Sequence, residues 1–419
     1  MSEVKTDLNS FESKLDLNNL NKSNWKTYRF DEIAKNISER VDPNNTDLKV
    51  YIGLEHIDSE SLHIKRHGTP DDVNGQKLKF YKGDIIFGRR RAYQRKAGIA
   101  TWDGFCSAHA LVLRANPDVI DPELFPFFLH SDLFMNRAID ISVGSLSPTI
   151  NWGTLKQQEF LIPPKEQQKN LVDLLLSSDS TIQSRKSVAE SLNLLFSTER
   201  KYLIESGVSK AGVSQRLRFG NVFDGWKVRK LSSFCDFIGG NAFKSPRFED
   251  VGTHQVLRIG NLTERGFDFT KSPVFIDDLA SSEEKYLIPK GAVVVSLTGT
   301  NGKRDYGFPS LMVEDNKYLL NQRLVMLLVD NTVMLPEFLF LLSKMELFQG
   351  RFFLNATGTA NQANVSVTDL ADIDLPVPSI AEQEYILKRT NSISESYGMA
   401  NDSIVQSELL KCTLLNKVF

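Results

Sequence analysis

The chain has 419 residues, 41% of them hydrophobic and 24% charged, with a formal charge of −2. That length predicts two or three domains rather than one core, and the composition excludes a disordered chain. The slightly acidic balance confines any nucleic-acid contact to a local patch. In chain order, residues 1–24 read as a polar extension without the apolar core of a signal peptide. No run approaches the ~18 apolar residues of a membrane span. Cys106, Cys235 and Cys412 share no pairing or metal spacing, which suits a reducing, cytoplasmic setting.

Residues 25–164 begin with strand-like runs between turn residues: KVYIGLEHI, LKFYKGDIIFG and HALVLR. The helical stretch PELFPFFLHSDLFMNRAI follows, then the polar loop VGSLSPTINWG and a proline stop. A long periodic segment occupies 165–206, and 207–225 reads as a linker. The same order then returns over 226–379: HQVLRIGNL, GAVVVSLTG, RLVMLLV, the helical PEFLFLLSKMELFQGRFF, the loop TGTANQANVSV and a proline stop. A second long periodic segment fills 380–419.

This is a tandem duplication. At an offset of 214, Pro122 meets Pro336, Glu123 meets Glu337, Leu133 meets Leu347, Phe134 meets Phe348, Arg137 meets Arg351 and Gly144 meets Gly358. Upstream, Trp25 matches Trp226 and Gly83 matches Gly291; downstream, Pro163 matches Pro378 and Glu166-Gln167 matches Glu382-Gln383. The offset rises from 201 to 216, as small insertions in the second half would make it.

The two long segments carry apolar residues at three-four spacing over some forty residues. The stripe includes Leu171, Leu175, Ile182, Val188, Leu192, Leu195 and Tyr202 in the first, and Ile386, Ile393, Tyr397, Ile404 and Leu410 in the second. So narrow a stripe on so long a helix predicts a helix–helix seam with the other copy as the natural partner; a helix packed on its own domain is the alternative.

Catalytic constellations are missing. There is no GxxxxGK[ST] and no GxGxxG, and the only Pro-Pro follows Ile162 rather than the Asn or Asp of a base-methylating tetrad. Asp71, Asp72 and Lys77 lack the Glu-x-Lys element of a metal nuclease. His63 and His67 stand four apart and could share a helix face, but no third metal ligand lies near. Cys106 and His109 fall in a strand-like run and read as buried packing. No catalytic residue, metal site or cofactor is assigned.

The ordered series WKTYRFDEI, YIGLEHI, GDIIFGRRR and LIPPKEQQ, repeated as WKVRKLSSF, VLRIGNL, GAVVVSLTG and LPVPSIAEQ, resembles the specificity subunit of a type I restriction–modification enzyme. The resemblance runs from Trp25 to Phe419. It departs from the family in the N-terminal extension and in SLTGTNGKRDYG, which has fewer charges than its first-repeat counterpart. The resemblance implies an α+β fold of two tandem repeats, each a mixed α/β target-recognition domain followed by a long helix. It implies that the helices pack as an antiparallel, coiled-coil-like pair with pseudo-two-fold symmetry. Each domain would read one half of a split sequence in double-stranded DNA. Two modification (methyltransferase) subunits would dock on the helices and carry S-adenosylmethionine, with restriction subunits as optional further partners. The rival reading is a duplicated protein-interaction scaffold without DNA specificity.

Against that background the basic cluster Arg89, Arg90, Arg91, Arg95 and Lys96, with Tyr93 and Gln94, becomes a candidate DNA contact. Arginine forks take phosphates or guanine, and Gln94 suits adenine; a solvated loop is the alternative. Its counterpart offers Thr298, Thr300, Asn301, Lys303, Arg304 and Tyr306. The polar loops form a second candidate surface, with turn and capping duty as the alternative: Ser145, Ser147, Thr149 and Asn151, then Thr359, Asn361, Gln362 and Asn364. Arg137 and Arg351 read as structural partners of carboxylates.

Overall fold

The computed structural model describes residues 20–208, 212–359 and 361–419. Most of the N-terminal extension (1–19), residues 209–211 of the linker stretch and the side chain of Thr359 lie outside the described residues. The chain forms two compact units, one running to Ala189 and adding Met399–Phe419, the other Glu190–Gly398.

In the first unit, an antiparallel four-stranded sheet has the order Ala34–Ile37, Ala110–Ala115, Ile85–Gly88, Ala97–Ile99. Strand Ile85–Gly88 is buried throughout because both faces are covered. Ile85 and Phe87 enter a core with the helices, whereas Ile86 packs on the other side with Phe80, Cys106 and Val112. A second sheet orders Arg40–Val41, Lys77–Phe80, Gly104–Cys106 and Tyr51–Ile52. Lys26–Arg29 pairs antiparallel with Glu159–Ile162, so the start of the domain is clamped to the strand that feeds the first long helix.

The second unit repeats this plan. Its main sheet runs Cys235–Gly239, Leu324–Val329, Val293–Ser296, Pro309–Leu311. Val293 and Val295 face one core and Val294 the other. Lys227–Lys230 pairs with Asp374–Val377 as the equivalent clamp. Within the stretch read as a linker, Ser214–Leu217 pairs antiparallel with Gly220–Phe223. Each single helix expected after the sheet is in fact two: Phe125–His130 with Asp132–Asp140, and Pro336–Ser343 with Glu346–Leu354. The break in the first comes from Ser131, whose extended backbone (ψ 151°) and hydroxyl, accepting from the Phe134 amide, cap a new helix.

The junctions to the long helices repeat atom for atom. Trp25 Nε1 donates to Gln167 Oε1 and Trp226 Nε1 to Glu382 Oε1, each at 2.9 Å. Gln168 is 1% exposed; its Oε1 accepts from the Asp121 amide and its Nε2 donates to the Val119 and Pro163 carbonyls. Gln383 is fully buried and makes the same bonds with the Leu335 amide and the Val333 and Pro378 carbonyls. The structure therefore equates Gln167-Gln168 with Glu382-Gln383, an offset of 215, and corrects the 216 read from the Glu-Gln pairs. Either Gln→Leu change strands three backbone groups without partners. Each is expected to cost ~2–4 kcal/mol of stability in a denaturant titration, since the buried proline carbonyl left unsatisfied costs ~1–3 kcal/mol and the two part-buried groups less each; an unchanged midpoint would refute the anchoring role.

The long helices span Lys165–Ser206 and Ile380–Val418. Within the first unit they run antiparallel: Asp179 pairs with Lys411, Lys186 with Glu408 at 2.6 Å, and Arg185 donates to Ser407 and to the Ser403 carbonyl. Leu171, Val172 and Leu175 share a core with Leu415 and Val418. Ile182 and Ile404 are also buried. In the second unit, Arg389 pairs with Glu199 at 2.6 Å, and Leu203, Ile204 and Ile386 enter one core. Leu192, Ile393 and Tyr397 are half-buried. Val188, Leu195, Tyr202 and Leu410, counted in the stripe, are exposed instead. A helix of 3.6 residues per turn drifts off a strict 3.5-residue seam, so part of each stripe rotates away.

Candidate nucleic-acid interface

The two surfaces nominated separately in each repeat are joined. In the first unit, strand Ile85–Gly88 delivers the chain into the basic loop, and the polar loop runs alongside it. The Arg91 amide donates to the Pro148 carbonyl at 2.7 Å, the Ile150 amide to the Arg89 carbonyl at 2.9 Å, and Arg90 Nε to Ser147 Oγ at 2.7 Å. In the second unit, Thr298–Gly299 pairs antiparallel with Gln362–Asn364. There the Thr298 hydroxyl bonds Asn364 Oδ1 at 2.7 Å. The duplication thus builds the same two-loop ridge twice.

Within the basic loop the charges divide into two sets. Arg95 is tied down: it pairs with Asp132 at 2.7 Å and Glu60 at 3.3 Å and donates to the His130 carbonyl. Lys96 donates to the Leu54 carbonyl at 2.6 Å. These two hold the loop rather than reach outward. Arg90, Arg91 and Tyr93 are exposed, Gln94 is half-exposed, and Arg89 has a buried Nε with no partner among the described residues. Arg91 and Arg95 both take the left-handed backbone (φ 58° and 50°), bracketing the turn Ala92–Gln94. For residues with a Cβ this conformation costs of order 1 kcal/mol, and surrounding contacts must enforce it. Ser145 and Asn151 are exposed, and Ser147 and Thr149 are half-buried beside Arg90. Leu146, which no sequence pattern singled out, stands 93% exposed at the tip of the polar loop. Only the absence of a periodic partner could have marked it.

The second unit's loop is quieter. Thr300 bonds Asp305 through both its amide and its hydroxyl. Arg304 forks onto Glu346 at 3.0 and 3.1 Å and stacks on Phe353. Tyr306 is 2% exposed, packed among Phe352 and Phe353, and serves the core rather than the surface. Thr298 is likewise buried. Asn301, Lys303, Asn361, Gln362 and Asn364 face solvent.

Three other readings change. Arg351 pairs with Asp372 at 3.4 Å as expected, whereas Arg137 donates to the amide oxygen of Gln158 instead of a carboxylate. Cys106 is buried, and burial raises its thiol pKa, but His109 is exposed in the turn before its strand. His63 and His67 sit in extended loop chain; His63 binds Asp179 at 2.5 Å and thereby ties the first domain to its helices. Burial alone would push the Asp179 carboxyl up, yet hydrogen bonds and charge from His63 and Lys411 hold it down at about 2. Among the described residues no cluster of three potential metal ligands occurs.

Each of the twin mixed α/β domains thus carries one such two-loop surface and leads into a long helix. The family model for the type I restriction modification DNA specificity domain matches residues 22–194 and again 224–396, so the chain belongs to that family and carries its domain twice. A provisionally assigned specificity subunit of the type I restriction enzyme MjaX from Methanocaldococcus jannaschii is 23% identical over 385 residues, covering 87% of this chain and 84% of that protein. The specificity subunit of the EcoDI enzyme of Escherichia coli is 28% identical over 36% of this chain and 34% of its own. The crystal structure of a type I restriction–modification S subunit from M. genitalium superposes with a TM-score of 0.53 at 16% identity, covering 96% and 97% of the two chains, and shares the fold. The protein is a DNA specificity subunit, a recognition component without a catalytic role.

Proposed function

We propose that each recognition domain reads one half of a bipartite duplex target, and that the paired helices set the gap between the halves and dock two modification subunits. Those subunits carry S-adenosylmethionine and the methylation chemistry; this chain carries neither, and restriction subunits are optional further partners. The assembly works in the cytoplasm, and among the described residues no helix is long and apolar enough to cross a membrane. The observation that carries this reading is the repeated joining of a basic or polar strand-end loop to a Ser/Thr/Asn loop, once in each unit.

The test is mixed-sequence duplex binding over a salt series, together with the methylated sites in cells that express the chain with a modification subunit. Affinity should fall steeply with salt, and methylation should mark a split sequence. Flat or absent binding would leave a protein-interaction scaffold.

A further inference from the structure

A cleft of about 870 Å³ in the second unit lies between the C-terminal turns of the first long helix, the hairpin 214–223 and the turn between helices Pro336–Ser343 and Glu346–Leu354. Five cations line it, Arg200, Lys201, Arg216, Arg218 and Lys344, against the carboxylates of Glu205 and Glu346. Glu346 is already committed to Arg304. None of the five cations has a carboxylate within ion-pair distance among the described residues. Three are held instead by rings, which position a cation without neutralising it: Arg200 over Phe196, Arg218 over Phe219 and Lys344 over Phe340.

The charge of this cluster is poorly compensated by the protein itself. Arg200 Nε is buried and makes no hydrogen bond among the described residues, and desolvation lowers the pKa of its guanidinium. Lys344 stays solvent-accessible, but the protein crowded around it and the Arg200 charge lower its pKa as well. A buried N–H without an acceptor is unfavourable, the more so on a charged group, and two unneutralised cations repel each other. Arg216 projects on the exposed side of strand Ser214–Leu217, and Arg218 is exposed in the hairpin turn that follows. The Arg304–Glu346 pair then joins the rim of the cleft to the candidate DNA-contacting loop 300–306.

We propose that this cleft is an anion site that grips a backbone phosphate of the duplex beside the second recognition loop. Arg200 and Lys344 would form its floor, and Arg216 and Arg218 its wall. The proposal rests on the DNA-recognition reading and adds to it a contact that positions the duplex without reading its sequence. Guanidinium forks match phosphate oxygens bidentately, and the cation excess suits a phosphodiester.

The test uses the full chain assembled with its modification subunit. Arg216→Gln/Arg218→Gln, both exposed, and Lys344→Gln are compared with wild type in duplex binding across a salt series. Inorganic phosphate against equal ionic strength of chloride is added in a thermal melt. Each lost phosphate contact should lower the log–log salt slope by about 0.9, some threefold in affinity over a fourfold change in salt, with the methylated sequence unaltered. Phosphate should stabilise the wild type more than the variants. An unchanged slope in a wild type that binds DNA overturns the phosphate grip and leaves DNA recognition standing. If wild type shows no salt-dependent DNA binding, the recognition reading itself fails. Loss of subunit assembly with an unchanged slope in whatever assembles would assign the cleft to an acidic segment of the partner and also overturn the proposal.

Discussion

Methylation at one half-site should fail when Arg89, Arg90 and Arg91 are replaced together by alanine, while the fold survives. Each lost base contact is expected to weaken binding of the assembled complex by ~1–3 kcal/mol, and each lost phosphate contact by less. The structure sharpens the expectation by separating the cluster. Arg90 and Arg91 are exposed, and alanine there removes no ion pair of the core; Arg90 loses only its bond to Ser147. Arg95 and Lys96, which pin the loop through Asp132, Glu60 and the Leu54 carbonyl, stay in place. The melting temperature should therefore remain close to wild type. The second domain, transplanted beside a different first domain, should still read its own half. Sequencing methylated sites in cells decides the matter: an unchanged set of sites at an unchanged rate would make the cluster a solvated loop.

A second large effect is expected from lengthening the helices. A helix rises ~1.5 Å per residue, so four added residues lengthen it by ~6 Å, close to two base pairs of duplex at ~3.4 Å each. Four residues also nearly complete a turn, so the apolar stripe keeps its face; two would throw it to the opposite side and cost assembly. The place for the insertion follows from the division of the chain at Ala189–Glu190 and Gly398–Met399. Matched insertions at those two points leave Asp179–Lys411, Lys186–Glu408 and Glu199–Arg389 undisturbed within their units. The methylated sites should keep both half-sequences and widen the unspecified gap by one or two base pairs. An active, lengthened protein with the original gap would show that the helices do not measure the target.

The duplication, the two long helices and the family were legible in the chain because they rest on local signals. These are period-two apolar runs, three-four spacing, proline stops and an offset that two halves share. The sequence also nominated both loops of each candidate interface. Their union was not legible, because Arg90 and Ser147 are 57 residues apart and Thr298 and Asn364 are 66 apart, and only folding brings them within hydrogen-bond distance. Tertiary structure also decided which nominated side chains are free. Tyr306 looked like a contact residue and became core, since a neighbouring aromatic cluster offered it burial. Arg95 and Arg304 looked like readers and were claimed by carboxylates from distant helices. The cationic cleft around Arg200 was invisible for the same reason: its members come from three separate segments, and their missing counter-charges appear only once the chain has folded. Period and propensity act between near neighbours, whereas charge compensation depends on what folding brings within a few ångströms.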